Sequence, residues 1–523
     1  MPSTNYDVII VGAGVAGSSL AHGLSTLPRN GKKPLRIALV ERSLAEPDRI
    51  VGELLQPGGV ASLDKLGMKW CLTDIDAIPV HGYNVVEGSN SVHIPYPGRH
   101  QGRSFHHGKF IQRLREAASK SEGVDMIEAT VTDLVEAEDS QRIVGVRIAR
   151  KDPEEQKETL YADLVVVADG CFSNFRNFVM GPSAVKPDTK GFFFGAILKD
   201  VRLPIPQHGT VCLVKGFGPV LLYQIGEHDT RLLVDLKQPL PADIPKHILE
   251  NVVPQLPSSL HLPIQLAYEK DRLRRMPNSF LPPVEQGSKR SRQGVILIGD
   301  AWNMRHPLTG GGMTVALNDV VLLRQLLGEV DDWSNWSAVK KALHRLHWDR
   351  KPLASTVNIL SVALYDLFGA DDEELRVLRT GCFKYFERGG ECINGPVSML
   401  SGIIASPVLL FYHFFSVAFY SIWVMFTHPD IVPPAPGAPE NVKPVYARPS
   451  IFQYPALTLK AFRVFWTACV VFGPLLWTEL RWWAPSDTAK RNQVALSALV
   501  PVLLVCAAVQ YGVPSLGLLG LQL

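Results

Sequence analysis

The chain has 523 residues, with 53 Lys and Arg against 50 Asp and Glu and a formal net charge of +3. A chain of this length can bury a large core without disulfides or a structural metal, and the near-neutral charge argues against a nucleic-acid partner. The seven cysteines form no C-x-x-C pair, so we expect thiols in a reducing compartment and no metal site. The first residues lack the basic region of a secretory signal, so we expect no cleaved leader.

The first elements predict a βαβ unit. Tyr6–Val11 is a β-branched run of buried-strand length, a helical pattern follows, and Leu35–Val40 is a second apolar run. Parallel strands connected in this way form a sheet with helices on its faces. Two further apolar strands, Leu164–Ala168 and Val295–Ile298, come far downstream, so we expect a sheet domain interrupted by inserted segments.

A glycine-rich motif joins the first strand to its helix. Gly12, Gly14 and Gly17 form G-x-G-x-x-G, which allows a tight turn and brings a pyrophosphate close to the helix N-terminus. Glu41, at the end of the second strand, is placed to accept hydrogen bonds from ribose hydroxyls. This context predicts a dinucleotide site, but the motif alone does not distinguish NAD from FAD.

Two later motifs favour FAD. Asp169 ends a strand and precedes Ser173 and Arg176, which suit a diphosphate at a loop edge. Asp300 ends another strand and could hold a ribityl chain. The glycine run Gly310–Met313 then opens a helix, whose positive N-terminal end would stabilise the negative charge of a reduced flavin.

The middle of the chain differs in character. Between Gly191 and Gln286, alternating apolar runs such as FFFGAIL and RLLVDL precede a proline-rich path, so we predict a second domain built on an antiparallel sheet. The charged run Lys151–Glu158 is predicted to be a solvated hairpin tip.

The C-terminal part is strongly apolar. Cys392–Pro429 and Asn492–Leu523 contain no Asp, Glu, Lys or Arg and reach the roughly 20 residues that a membrane span needs, whereas Arg463–Thr478 is a shorter apolar stretch. Because prolines interrupt the apolar runs, the sequence is compatible with three arrangements: full spans, helices lying in one leaflet and buried core helices. Tryptophans near the segment ends are typical of a membrane interface: Trp466, Trp477, Trp482 and Trp483.

These motifs resemble a known group of enzymes. GxGxxG, then ADG, then GDAxNxRHPLTGGGM resemble the flavoprotein monooxygenase superfamily. Within it, RIVGELLQPGG (Arg49–Gly59), GRSFHHGKFI (Gly102–Ile111) and FKYFERGGECINGPVSMLSG closely resemble the squalene monooxygenase (squalene epoxidase) family, and the likeness extends over nearly the whole chain. Some members carry an apolar anchor before the first strand, whereas this sequence begins at that strand, so we expect membrane lipid to be contacted through the C-terminal segments.

The resemblance implies an enzyme that uses O₂ to epoxidise the terminal alkene of squalene, giving (S)-2,3-oxidosqualene in sterol biosynthesis. It implies tightly bound FAD, with electrons from NADPH delivered by NADPH–cytochrome P450 reductase. It also implies the endoplasmic reticulum membrane, or lipid-droplet or microsomal membranes, with the catalytic domain facing the cytosol. Two alternatives are a single-component aromatic hydroxylase of the same superfamily and a non-catalytic lipid-binding module.

The resemblance also assigns residues. Tyr83 matches the active-site tyrosine of the family, and Gln56 is its expected hydrogen-bond partner. Arg49 and Arg103 make sense as cations near a pyrophosphate. The apolar substrate wall is expected among Phe192, Phe193, Phe194, Leu221, Leu222 and Tyr223, with half of them facing elsewhere because side chains alternate along a strand. The predicted cofactor residues are Gly12, Gly14, Val15, Ala16, Gly17, Glu41, Arg42, Arg49, Arg103, Val131, Asp169, Asp300, Gly311, Gly312 and Met313.

The predicted fold class is α/β: a Rossmann-like FAD-binding domain, an inserted antiparallel-sheet substrate domain and a C-terminal helical membrane-associated region. The FAD-binding domain is expected at 1–82, 98–190 and 288–350. The substrate domain is expected at 83–97 and 191–287, and the membrane-anchoring region at 351–523.

Overall fold

The computed structural model describes residues 6–28, 33–88, 90–150, 157–270, 273–288, 291–369, 372–427, 430–432, 445–447 and 449–480. Its strands are β1 (Tyr6–Val11), β2 (Ile37–Glu41), β3 (Leu54–Leu55), β4 (Ile78–Val80), β5 (Gly82–Glu87), β6 (Asn90–Pro95), β7 (Gly102–Ser104), β8 (Val124–Glu128), β9 (Thr130–Glu136), β10 (Ile143–Ala149), β11 (Glu158–Val167), β12 (Asp188–Lys199), β13 (Gly209–Cys212), β14 (Val220–Gln224), β15 (Asp229–Lys237), β16 (Arg274–Phe280), β17 (Val295–Leu297), β18 (Asp430–Val432) and β19 (Val445–Ala447).

Its α-helices are α1 (Val15–Ser25), α2 (Pro57–Lys65), α3 (His107–Ser119), α4 (Arg176–Met180), α5 (Ile244–His247), α6 (His261–Lys270), α7 (Gly312–Gly328), α8 (Trp336–Asp349), α9 (Lys351–Phe368), α10 (Glu373–Glu387), α11 (Glu391–Leu400), α12 (Pro407–Thr427) and α13 (Tyr454–Leu480).

The first sheet has the parallel core that the apolar runs predict. Strands β8, β2, β1, β11 and β17 pair in that order, all parallel. The side chains of the inner strands are mostly buried on both faces, whereas those of the edge strand β8 are half-buried or exposed. Helices α1, α3, α7 and α8 contribute to the same hydrophobic core. Parallel strands covered on both faces read as continuous apolar runs in the sequence, which explains why all four predicted strands are confirmed.

The long strand β11 also pairs with antiparallel strands. Its first half pairs antiparallel with β10, and β10 pairs with β9. The β10–β11 pairing is the hairpin expected around Lys151–Glu158. Most of its predicted tip, 151–156, lies outside the described residues.

The second sheet has the order β16-β12-β15-β14-β13-β5-β6. Its pairings are antiparallel, as predicted, except that β13 and β5 run parallel, because these two strands are not joined by a hairpin. Strands β5 and β6 come from the early segment 82–95 and complete a sheet whose other strands lie at 188–280. The domain boundaries given above stay a prediction.

The C-terminal helices contain the two described segments that are long and apolar enough to cross a membrane, Pro407–Thr427 and Ile451–Glu479. The second is longer than the apolar stretch read from the sequence, because α13 begins at Tyr454 and accommodates Lys460, which pairs with Glu373 of α10. The third apolar stretch, Asn492–Leu523, lies outside the described residues, as do Trp482 and Trp483.

Candidate active site

A cavity of about 760 Å³ lies where the carboxyl ends of β1, β11 and β17 meet the second sheet. Ligands of open α/β sheets bind in such a crevice. Its lining includes residues of the glycine-rich motif, the strand ends, the start of α7 and the second sheet, together with Arg49 of the loop between β2 and β3. These are Gly14, Val15, Ala16, Arg49, Tyr83, Gly170, Asp300, Gly312 and Met313.

The glycine-rich motif packs its backbone closely against neighbouring backbone and leaves open space at Gly14. Gly12 has φ +101°, and a Cβ there would lie 2.6 Å from the carbonyl oxygen of Ala168. A Cβ on Gly17 would collide with the carbonyl oxygen of Gly12. Neither residue lines the cavity, but a Cβ on Gly14 would meet open space there. The start of α1 therefore opens onto the cavity, where its unpaired N–H groups suit an anion.

Glu41 holds the glycine-rich motif from the end of β2. Its Oε2 accepts a hydrogen bond from the backbone N–H of Ala13 at 2.9 Å. Arg115 of α3 lies beside it: Nε donates to the carbonyl oxygen of Ala13 at 3.0 Å, and Nη2 is 3.6 Å from Glu41 Oε2. Arg115 is buried, so this carboxylate and guanidinium form a charged corner at the tip of the first strands.

Two arginines differ in their surroundings: Arg103, which the sequence analysis assigned to the cofactor, and Arg115, which it did not. Arg103 does not line the cavity, and its Nη1 donates to Gln101 Oε1 and to the carbonyl oxygen of Gly102, each at 2.9 Å. Its short strand β7 pairs with β3 and β4 in a separate three-stranded sheet. Sequence reasoning missed Arg115 because a single arginine in an amphipathic helix is usually solvated. Its place four residues after Ile111, on the buried face of α3, was the available signal.

Two other predicted cofactor residues lie near Glu41 and do not line the cavity. Arg42 is exposed, directly after β2. Val131 is half-buried on β9, shortly after the point where Glu41 pairs with Glu128. The structure therefore places both residues at the Glu41 edge of the first sheet.

The two strand-end aspartates face different surroundings. Asp300 lines the cavity. Asp169 does not, and its Oδ2 accepts a hydrogen bond from the backbone N–H of Asn174 at 3.0 Å, while burial raises the pKa of its carboxyl group. Arg176, expected near a diphosphate, instead donates to the carbonyl oxygens of Asp300 and Ala301 at 2.9 and 2.7 Å.

Arg49 lies in the loop between β2 and β3. The side chain lines the cavity, and its Nη2 lies 3.7 Å from the Sγ of Cys171. His107 also lines the cavity. Burial lowers its pKa to about 4, and its Nδ1 lies 2.8 Å from the carbonyl oxygen of Gly52. Arg49 is therefore the predicted cation that the structure brings to the cavity.

The start of α7 forms another wall. A Cβ on Gly311 would collide with Val357 of α9, so this glycine serves close packing and does not line the cavity. Gly312 and Met313 do line it, and a Cβ on Gly312 would meet open space. The positive end of the α7 dipole therefore points at the cavity.

Tyr83 and Gln56 form the expected contact. The Gln56 Nε2 donates to the Tyr83 hydroxyl and to the carbonyl oxygen of Thr309, the latter at 2.7 Å. Gln56 Oε1 accepts a hydrogen bond from the Tyr96 hydroxyl at 2.6 Å. All of these side chains are buried, and burial raises the pKa of Tyr83 to about 12. The Tyr83 hydroxyl is thus a neutral group held in one orientation at the cavity wall.

The second sheet supplies the apolar wall. Phe192, Leu221, Leu222 and Tyr223 line the cavity, whereas Phe193 and Phe194 do not. Phe193 instead packs against His306, with ring centroids 5.7 Å apart. Side-chain alternation along β12 puts Phe193 on the opposite face from Phe192, whereas Phe194 shares the face of Phe192 and is buried in a cluster with Leu222 and Leu232.

One buried ion pair at this wall was not foreseen. Arg231 of β15 donates from Nε and Nη2 to both carboxylate oxygens of Glu53, at 2.8 and 2.7 Å, and the Tyr223 hydroxyl donates to Glu53 Oε2 at 3.2 Å. Glu53 and Arg231 are 1% and 6% exposed. This ion pair connects the second sheet to the loop on which Gln56 lies.

The described residues contain no group of three or more His, Cys, Asp or Glu side chains arranged to hold a metal ion. They provide the N-termini of α1 and α7 at one cavity, the strand-end carboxylate of Asp300, and Gly14, where the absent side chain leaves space for a ligand. This donor set fits a flavin dinucleotide, with the pyrophosphate at α1 and the flavin ring at α7.

Comparison with known proteins decides the family. A family model described as squalene epoxidase matches residues 161–435. The chain is 43% identical over 490 residues to squalene epoxidase erg1 of Aspergillus fumigatus, covering 90% of this chain and 93% of that protein. The chain belongs to the squalene epoxidase family. It is also 41% identical over 487 residues to the squalene monooxygenase of Mus musculus, covering 92% of this chain and 79% of that one.

The fold agrees with this membership. The crystal structure of PqsL, a probable FAD-dependent monooxygenase from Pseudomonas aeruginosa, superimposes with a TM-score of 0.57 at 21% identity. The match covers 70% of this chain and 97% of that one. The predicted α/β fold class of this squalene epoxidase family member is confirmed.

Proposed function

We propose that the chain is an FAD-dependent squalene monooxygenase, which transfers one oxygen atom of O₂ to the terminal alkene of squalene. The observation that carries this proposal is a single cavity that joins the glycine-rich start of α1 and the start of α7 to the apolar inner wall of the second sheet. The product is (S)-2,3-oxidosqualene, the precursor for sterol biosynthesis.

FAD would lie across the ends of the parallel strands. The N–H groups at Val15 and Ala16 would hold the pyrophosphate with Arg49, and Glu41 would accept hydrogen bonds from the adenosine ribose, next to Arg115. Arg42, Arg103, Val131 and Asp169 complete the proposed set as edge or supporting residues.

The flavin end would be held from the other side of the cavity. Asp300 would hold the ribityl chain, and Gly312 and Met313 would contact the flavin ring. When bound and reduced, FAD supplies the activation of O₂. The dipole of α7 favours negative charge on the adjacent part of the ring.

The chain's own residues position the alkene and exclude water. Squalene has no polar group, so its recognition must come from shape and apolar contact with residues such as Phe192, Leu221 and Leu222. Tyr83, fixed by Gln56, marks the boundary between the flavin end and this wall. A dry wall would exclude water from the reacting centre and so limit side reactions there.

The electron source, membrane and location form the finer part of the proposal. NADPH is proposed to donate electrons through NADPH–cytochrome P450 reductase, as the family resemblance implies. Contact with membrane lipid is proposed through α12 and α13, whose outer faces expose Trp423, Phe462 and Trp466. The proposed location is the endoplasmic reticulum membrane with the cavity on the cytosolic side.

The test uses the full chain, purified in detergent with FAD. Squalene, NADPH, the reductase and ¹⁸O₂ are added, and the product is analysed by mass spectrometry. One ¹⁸O atom in oxidosqualene, formed only with the reductase, supports the proposal. Hydroxylation of aromatic acids without reductase would establish the aromatic hydroxylase instead, and a protein that retains no flavin would leave the lipid-binding module.

A further inference from the structure

The last turn of α13 carries a buried carboxylate that an apolar membrane helix does not need. Glu479 is 3% exposed. Its Oε2 accepts a hydrogen bond from Ser355 Oγ at 2.8 Å and lies 3.4 Å from Lys351 Nζ. Its Oε1 accepts a hydrogen bond from Asn358 Nδ2 at 2.8 Å. All three partners lie on α9, so this carboxylate fixes the end of α13 to that helix.

Asn358 continues the contact toward the cavity. Its Oδ1 accepts a hydrogen bond from Arg305 Nε at 2.9 Å. Because its Nδ2 donates to Glu479 and its Oδ1 accepts from Arg305, the amide has one orientation that satisfies both neighbours. Removal of the Glu479 acceptor takes away the shorter of the two hydrogen bonds that Nδ2 donates and leaves the longer one, to Asn303 Oδ1 at 3.2 Å.

Arg305 completes the path at the flavin end. It lines the cavity, and its Nη1 donates to the carbonyl oxygen of Gly312 at 3.1 Å, at the first residue of α7. Its Nη2 donates to the backbone and side-chain oxygens of Asn303, at 2.9 and 2.8 Å. Arg305 is buried, and this burial lowers the pKa of its guanidinium to about 10.

The chemistry of these groups indicates a purpose beyond anchoring. Burial of a carboxylate costs more than burial of an apolar side chain, and replacing a buried charged group by a hydrophobic one is often neutral or stabilising. A leucine at the end of α13 would serve a membrane anchor at least as well. A carboxylate instead specifies one position of α13 relative to α9 and one orientation of Asn358.

We propose that Glu479 is a positioning residue for the flavin site, which acts through Asn358 to hold Arg305 against the start of α7. The C-terminal helix is then part of the apparatus that shapes the cavity, in addition to its contact with membrane lipid. This inference rests on the proposed function, because it places the flavin ring at the start of α7.

The experiment measures FAD binding to the full chain in detergent. Glu479→Gln and Asn358→Leu are compared with Glu391→Gln, which changes an exposed carboxylate of the same helical region. Both network variants should bind FAD about tenfold more weakly, the effect of losing a hydrogen bond to a charged group, and should shift the visible absorption of the bound flavin. Glu391→Gln should match the parent.

Asn358→Leu keeps Lys351, Ser355 and Glu479 together and therefore separates positioning from simple docking of α13. Parental FAD affinity and an unshifted flavin spectrum in either network variant would overturn the inference. If Glu479→Gln fails to fold, the result for Asn358→Leu decides alone. A parent protein that binds FAD but leaves squalene unchanged would overturn the proposed function, while the FAD measurements would still decide this inference.

Discussion

Glu53 and Arg231 form a buried ion pair with two parallel hydrogen bonds, although 178 residues separate them in the chain. Glu53 lies three residues before Gln56, and Arg231 lies on β15 of the second sheet. The pair therefore connects the loop that orients Tyr83 to the wall that is proposed to receive squalene.

Glu53→Gln should destabilise the protein strongly, because it leaves the buried Arg231 guanidinium without its counter-charge. Removal of one partner from a buried pair costs about 3 to 5 kcal/mol. We expect a clear fall in the thermal midpoint of unfolding. Asp64→Asn is the matched control, since Asp64 pairs with Lys69 at 3.9 Å on an exposed surface and such pairs contribute about 0 to 1 kcal/mol. Equal midpoints for both variants would contradict the prediction.

Arg115→Ala should weaken FAD binding far more than Arg103→Ala. Arg115 braces both Ala13 and Glu41, so its loss releases the charged corner at the tip of β1 and β2. Loss of hydrogen bonds to a charged group corresponds to about a tenfold to hundredfold change. Flavin fluorescence titration of the two variants provides the comparison, and a larger effect for Arg103→Ala would contradict the prediction.

Asp300→Asn should reduce FAD retention during purification, because Asp300 is the strand-end carboxylate that lines the cavity. Asp349→Asn, an exposed change at the end of α8, serves as its control. The ratio of flavin to protein absorbance reports retention directly. Parental flavin content in Asp300→Asn would remove this residue from the proposed site.

Tyr83→Phe should lower kcat by about tenfold, the upper range for one neutral hydrogen bond, with FAD affinity unchanged. The hydroxyl is held by Gln56 at the wall and is not needed to hold the dinucleotide. Since its pKa is about 12, the hydroxyl stays protonated up to pH 10, and any alkaline fall in activity below that pH should persist in the variant. Tyr161→Phe, on β11, provides the control, and loss of flavin from Tyr83→Phe would count against this role.

His347 should make the protein less stable in acid. It is fully buried between Trp302 and Trp348, and burial lowers its pKa to about 3 from an ordinary value of 6.5. Below pH 6.5 the unfolded chain binds a proton that the native chain does not, so stability falls as the pH falls toward 3. His347→Phe should recover about 2 kcal/mol at pH 5.

Thermal unfolding at pH 7 and pH 5 tests this prediction. His344→Gln changes an exposed histidine of the same helix and should keep the parental dependence on pH. An unchanged difference between the two pH values in His347→Phe would show that other groups cause the acid sensitivity.

The parallel core of the first sheet could be predicted because local pattern and tertiary environment coincide there. Val8, Ile9 and Ile10 are apolar in succession because both faces of the sheet are covered. The glycine-rich motif was equally readable, since the chain geometry itself requires Gly12 and Gly17. Contact between Gln56 and Tyr83 came from family resemblance, which the hydrogen bonds of Gln56 agree with.

The remaining features depend on contacts between distant segments. Arg115 differs from a surface arginine only through its packing against Ala13, 102 residues earlier. Glu479 gains its partners from α9, more than 120 residues away. No local period or spacing encodes such pairs, so the sequence alone predicted the shape of the site better than its charged supports.

The aromatic cluster behind Tyr83 has a practical consequence for protein engineering. Phe193 and Tyr83 share one hydrophobic cluster with Tyr365, Phe383 and Val397 of the C-terminal helices. A shortened version without those helices would expose a new apolar surface to solvent, because the back of the substrate wall would lose the residues that cover it. To obtain a water-soluble catalyst, it would be better to replace exposed apolar residues of α12 and α13 by polar ones and to keep the full length of the chain.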